Sequence, residues 1–165
     1  MKTVRYNQVF ALLEQAKKAP RGRKNLDVSE TGKDGMSFFF NAFAPETYVQ
    51  PHKHLTPEFF KIEIGYALVI FFDSNGNVIE VITLSSTSFG GSVAACRIPP
   101  DTWHSVIAHV PVVLLEAKEG VYRPENKILA PWAPSELDAP DLIHTYQDHL
   151  NAAVERSWWT SRKLE

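Results

Sequence analysis

The sequence predicts a mainly β protein, a closed barrel or jelly roll, with a helix at each end. Three observations carry this. Residues 36–118 break into eight short runs rich in aromatic and β-branched residues. Turn residues separate these runs at intervals of about ten residues, and Asn75-Gly76 is the commonest tight-hairpin signal. The runs follow one another too closely to fit the helices that a parallel sheet would need between its strands.

Each element has its own justification. Residues 6–19 predict a helix, because Val9, Phe10, Leu12, Leu13 and Ala16 fall on one side at helical spacing and Pro20 stops it. A basic stretch follows with Arg21, Arg23 and Lys24, then a polar loop over 28–35. Strands are expected over 36–43, 47–54, 58–64, 66–73, 77–84, 92–98, 104–109 and 112–118. The chain then turns irregular through 135, with Pro124, Pro131 and Pro134, and is expected to lie across the barrel surface. Residues 141–159 return to helical spacing, with Leu142, Tyr146, Leu150, Ala153 and Val154 in one stripe. The parts form one domain: 1–35 helix and basic arm, 36–120 barrel, 121–165 irregular arm and helix.

Composition excludes several classes. The chain has 165 residues, 44% of them hydrophobic, enough to bury a core in about one domain. A net charge of −2 argues against a dedicated nucleic-acid binder. The longest apolar run, residues 66–72, falls far short of the roughly 20 residues a membrane helix needs. The lone Cys96 excludes an internal disulfide framework and a multi-cysteine cluster, and is expected to be an inert buried thiol. The first residues lack the apolar core of a signal peptide, so a soluble, cytoplasmic protein is expected.

The histidines carry the chemical signal. His52 and His54 are two apart in a strand-like segment, so both imidazoles project to one side. Glu58 lies at an even offset from them, and His104 follows the turn Pro99-Pro100-Asp101-Thr102-Trp103. Three imidazoles and a carboxylate suit a divalent first-row metal and leave positions open for water or substrate. An HxH pair alone is weak evidence and more often reflects ordinary packing. His109, His144 and His149 have no partner at ligand spacing and read as surface or packing residues.

The wider pattern is more specific. His52-x-His54-x3-Glu58-x6-Gly65 resembles the first motif of the cupins, and Pro99-x-Asp101-x-x-His104 resembles the second. The resemblance implies a cupin-type jelly-roll β-barrel whose metal is held by His52, His54, Glu58 and His104. It also implies one divalent first-row ion: iron, manganese, zinc or nickel. Three positions depart from the pattern. Glu46 and Asp101 stand where glycines are expected, and Ala108 where an asparagine is expected. These departures bear on turn geometry rather than on the ligands. The segments PRGRKN, TYVQPHKH, IPPDTWH and EAKEGVYRPENKILAPWAP are similar to the WbuC-type cupin fold metalloproteins. Those proteins occur with bacterial surface-polysaccharide (O-antigen) synthesis genes, an association the resemblance extends to this chain.

Parity selects further candidates. Tyr48 and Gln50 share the face of His52, Tyr48 as a catalytic group and Gln50 as a substrate contact. Phe60, Ile62 and Ile64 share the face of Glu58 and would form an apolar wall. Glu116 and Lys118 lie two apart in the last strand. Facing inward they would be a general acid and base; facing outward, a solvated pair. Trp103 and Tyr122 are candidates for the mouth of the site, and Arg21 and Arg23 for binding an anion.

These residues point to three functions. The first is a sugar or sugar-nucleotide isomerase or epimerase using Glu116, Lys118 and Tyr48. The second is an iron(II)-dependent dioxygenase, and the third a binding or sensing module without turnover. Each takes a small-molecule ligand and involves neither nucleic acid nor membrane. A homodimer, joined through the N-terminal helix and basic stretch, is expected.

Overall fold

The computed structural model of the chain describes residues 2–30, 35–121 and 123–161. It opens with helix α1 (Tyr6–Lys18) and β1 (Arg23–Asp27), followed by β2 (Met36–Phe43), β3 (His52–His54), β4 (Glu58–Ile64) and β5 (Tyr66–Phe72). Then come β6 (Val78–Ser85), β7 (Ala95–Ile98), β8 (Trp103–Ile107), β9 (Val112–Glu119), β10 (Lys127–Leu129) and helix α2 (Pro140–Ser161). Two five-stranded antiparallel sheets face each other, ordered β1-β2-β9-β4-β7 and β10-β3-β8-β5-β6. This is a mainly β jelly roll with terminal helices, as the sequence predicts.

Packing is layered. Between the sheets lies an apolar core that includes Phe43, Phe60, Ile62, Val69, Phe71, Ile98 and Leu114. Val9, Leu12 and Ala16 of α1 cover Ala42 and Val113 on the outside of the first sheet. Leu150 and Val154 of α2 cover Leu68, Ile70 and Phe72 on the outside of the second. Strand β5 is therefore buried on both faces, which explains its unbroken apolar run. Each of its large outer side chains contributes roughly 1.5–3 kcal/mol by leaving water. No helix among the described residues is long and apolar enough to cross a membrane.

The structure departs from the sequence-based expectation at four places. The basic stretch is not a free arm: residues 23–27 pair with β2 as an edge strand. Its alternation was masked by charged residues, which an exposed edge tolerates. The strand expected over 47–54 shrinks to His52–His54, because Thr47 and Pro51 belong to a turn and an irregular approach. The irregular segment after the barrel contains β10, which pairs with β3. Ile64 leaves the inner wall because a register shift between Ile62 and Ile64 turns it outward against α1.

The two substituted glycine positions keep the backbone that glycine would favour. Glu46 and Asp101 are the only non-glycine residues with positive φ among the described residues, at 59° and 58°. Each is fixed by a backbone hydrogen bond: Glu46 N–H donates to Ala108 O at 2.9 Å and Asp101 N–H donates to His54 O at 2.8 Å. A left-handed L-residue costs roughly 1–2 kcal/mol, less for aspartate than for glutamate. Gly65 is a stricter case. Its φ is +81°, and a Cβ there would collide with the Pro111 carbonyl oxygen.

Two expectations follow for chemical denaturation. Glu46→Gly should stabilise the fold by about 0.5–1 kcal/mol, the relieved strain less the added chain entropy. Gly65→Ala should destabilise it by about 3 kcal/mol, since strain and a backbone collision coincide.

Candidate metal centre

Strand geometry assembles the centre. His52 and His54 alternate with Lys53 along β3 and are both buried. Antiparallel pairing sets His52 directly opposite His104 of β8. The three imidazoles therefore meet, each offering a ligand nitrogen within 4.8 Å of the others. From the facing sheet, β4 presents Glu58, which is 2% exposed. Register places Lys118 of β9 opposite Glu58, and Glu116 opposite Phe60. Glu58 Oε2 lies 3.0 Å from His104 Nε2, and Glu58 Oε1 lies 3.3 Å from His54 Nε2.

Hydrogen bonds orient two of the rings. His52 Nδ1 donates to Gln50 O at 2.8 Å and His104 Nδ1 donates to Thr102 O at 2.9 Å. Carbonyl oxygens only accept, so each Nδ1 carries a proton and each Nε2 is left to face the centre. Both Glu58 carboxylate oxygens and His104 Nε2 are fully buried and have no aligned hydrogen-bond partner. Close approach without alignment is what a donor set converging on a cation produces. Three imidazole nitrogens and one carboxylate thus fit a divalent first-row ion.

The electrostatics agree. Burial, with the charges of Lys127 and His104, holds His52 well below the ordinary imidazole range. Burial, opposed by Glu58 and reinforced by Lys118, brings His54 down to about 4. Burial alone would raise the Glu58 carboxyl, but His104, Lys118 and His54 outweigh it and hold it well below the carboxylate range. Glu116 is pushed up by burial and by Glu58, with Lys118 opposing. Burial would depress the Lys118 ammonium, but Glu116 and Glu58 raise it.

Glu116 and Lys118 face inward. Lys118 Nζ bridges Glu58 Oε1 at 2.8 Å and Glu116 Oε1 at 2.7 Å, and approaches His54 Nε2 at 3.3 Å. Asn41 Nδ2 donates to Glu116 Oε2 at 2.6 Å. These groups open on a cavity of about 510 Å³ that is also lined by Gln50, His52, His54 and Phe60. Arg21, Arg23, Lys127 and Glu136 line its outer part.

Two candidates fall elsewhere. The Tyr48 hydroxyl donates to Pro134 O at 2.7 Å and its ring meets Tyr146 edge-on, so it does not reach the centre. The strand that would have turned it inward is absent at residue 48. Trp103 packs against Trp132 on the outer face under α2, with the Lys53 ammonium 4.9 Å from its ring. Alternation with inward His104 sends it there. Tyr122 lies outside the described residues. Of the expected apolar wall, Phe60 lines the cavity, while Ile62 lies deeper in the core. Cys96 is half-buried, and burial raises its thiol to about 11, consistent with an inert residue. His109 contacts Glu46, and His144 and His149 are exposed. Sequence reasoning missed Asn41, Lys127 and Glu136. Lys127 was visible only as part of the EAKEGVYRPENKILAPWAP segment.

Comparison with known proteins supports the fold. A family model described as a domain of unknown function (DUF6016) matches residues 4–84. No curated protein sequence matches the chain. A variant of oxalate decarboxylase from Bacillus subtilis is similar in structure, with a TM-score of 0.52 and 14% identity over 65% of this chain and 27% of that one. A variant of salicylate 1,2-dioxygenase from Pseudoaminobacter salicylatoxidans, solved with gentisate, gives 0.54 and 15% over 70% of this chain and 33% of that one. Protein SO0799 from Shewanella oneidensis gives 0.55 and 8% over 66% of this chain and 74% of that one. The chain thus spans about a quarter to a third of the two enzymes. The likeness supports the jelly-roll fold.

The burial of His52 and His54 makes the metal-free protein sensitive to acid. Unfolded histidines bind protons near pH 6.5, whereas folded His54 does so only near 4. Stability is therefore complete above about pH 6.5 and declines as the pH falls toward about 4. Denaturant midpoints of chelator-treated protein should fall across that window; a flat profile would contradict the burial of neutral rings.

Proposed function

We propose that this is a metal-dependent enzyme that moves protons on a small, carbohydrate-related or acidic molecule, as an isomerase or epimerase does. One observation carries the reading: the Glu116–Lys118 pair lines the same cavity as His52 and His54, two of the three clustered histidines, and Lys118 also pairs with Glu58. Such a pair is costly to bury unless it is paired or used. Here His52, His54, Glu58 and His104 would hold the ion. A bound divalent metal would supply Lewis-acid polarisation of a substrate carbonyl or hydroxyl.

The chain's own residues supply the rest. Glu116, raised by burial, takes a proton from the carbon beside a carbonyl. Lys118 gives a proton to the carbonyl oxygen, so an enediol forms without net charge transfer. Lys118 then removes the proton of the neighbouring hydroxyl, and Glu116 returns its proton to the adjacent carbon. Asn41 holds Glu116 Oε2 and so fixes the carboxylate plane. Phe60 and Leu114 keep the skeleton dry, and Gln50 offers a polar contact.

A second reading is an iron(II)-dependent dioxygenase. Three histidines and one carboxylate favour it, because this set needs no further protein base. The WbuC-type assignment, its link to surface-polysaccharide synthesis and a homodimer belong to the same proposal and rest on the sequence motifs, and a cytoplasmic location is proposed with them on the composition of the chain.

Protein purified without chelators should carry about one first-row metal per chain, and His54→Ala should lose most of it on elemental analysis. Equal metal in both would remove the basis of the site. Metal-loaded protein incubated with aldoses and uronates in deuterated water should exchange a carbon-bound proton, read by NMR. Glu116→Gln should slow that exchange about 100-fold or more while retaining metal. Dioxygen uptake by iron-loaded protein, with no such exchange, would favour the second reading.

A further inference from the structure

We infer that the outer part of the cavity is a receptor for an oxyanion, the carboxylate or phosphate of the molecule whose other end reaches the metal centre, and that the Glu136 carboxylate occupies this receptor until the ligand displaces it. The inference rests on the metal-centre reading and gives it a substrate class.

Two guanidiniums converge on a single oxygen. Arg21 Nη1 and Arg23 Nη2 lie 3.1 Å and 2.5 Å from Glu136 Oε2. A guanidinium is built to give parallel hydrogen bonds to two oxygens of one acid, so one shared oxygen leaves donors on both forks unused. Arg23 keeps one further bond, from Nη1 to the Tyr48 carbonyl at 3.3 Å. Lys127 lines the same cavity from β10, opposite His54 in register. Among the described residues it has no carboxylate at ion-pair distance. Two guanidiniums and an ammonium thus answer to one carboxylate. This excess of positive charge is not spread over an open surface: the Arg23 and Glu136 side chains are each only 17% exposed.

The surroundings favour exchange. Glu136 lies in a turn between β10 and α2, so its side chain can withdraw without breaking a strand ladder or a helix. A carboxylate or phosphate brings two or three oxygens and can satisfy both forks and the ammonium together. Apolar Phe60, Val106 and Leu114 line the cavity along with this charged outer part and the histidines. That arrangement suits a short carbon skeleton with an acid at one end and metal-binding oxygens at the other. Arg21, with its side chain 65% exposed, stands at the solvent side.

Calorimetric titration of metal-loaded protein with D-glucuronate, D-glucose 6-phosphate and D-glucose tests this. At least one of the two acids should bind and glucose should not; which acid binds tells carboxylate from phosphate. Arg23→Gln should weaken acid binding about tenfold or more, and Arg21→Gln, at an exposed position, about threefold. Glu136→Gln removes the competing charge and should tighten it about tenfold. Elemental analysis of every variant should show unchanged metal. No binding of either acid by fully loaded protein, or equal binding by wild type and all three variants, overturns the inference. Absence of metal from wild type overturns the metal reading instead; arginine-dependent acid binding would then still support this one.

Discussion

A carboxylate held away from water has to find positive charge or neutralise, and Glu58 is the place where this protein faces that demand. It is 2% exposed, and burial works against its ionised form. Two imidazoles and the Lys118 ammonium answer it within 3.3 Å. Lys118 in turn brings Glu116, and Glu116 brings Asn41. Each member is delivered by antiparallel register: Glu58 opposite Lys118, Phe60 opposite Glu116, His52 opposite His104. A one-residue slip of β9 against β4 would turn both charged partners out of the lumen. The polar network and the strand pairing therefore specify one another.

The fold was largely legible because its apolar runs alternate or are doubly buried. The bounds of β2 and β4 matched the expected residues, and β5 was missed by a single terminal position. Elements without apolar periodicity were not legible. β1 carries charged and polar residues on an outer edge, and β10 is three residues long. The four proposed ligands were legible through the motif resemblance, and for His52 and His54 parity along a strand also predicted a shared face. Parity failed at two positions. Tyr48 precedes β3 and escapes the rule, and Ile64 follows a bulge and inverts it. Glu136 had no local signal, since its meaning depends on two arginines more than 110 residues away in sequence.

The substituted glycines show the difference between a motif and its cause. Glu46 and Asp101 do not match the letter of the pattern, yet both hold the left-handed conformation that the pattern exists to secure. At Asp101 the same turn sends an N–H to the His54 carbonyl, and Lys53 Nζ approaches the Asp101 carboxylate at 3.1 Å. The turn that introduces His104 is thereby tied to the strand carrying the other two histidines. What the chain needs there is a backbone shape, and neighbouring hydrogen bonds can impose it on a residue that would not choose it.

The late pairing of β10 with β3 bears on the order of assembly. β3 meets β8 at only one register position, His52 with His104, so its other edge depends on residues 127–129. These lie more than 70 residues downstream. A ribosome extending this chain from its N-terminus finishes both sheets' longest strands before the clasp that seats the imidazoles emerges. Closure of the sheet around the histidines is thus deferred until β9 has been made, when most of the barrel's strands already exist.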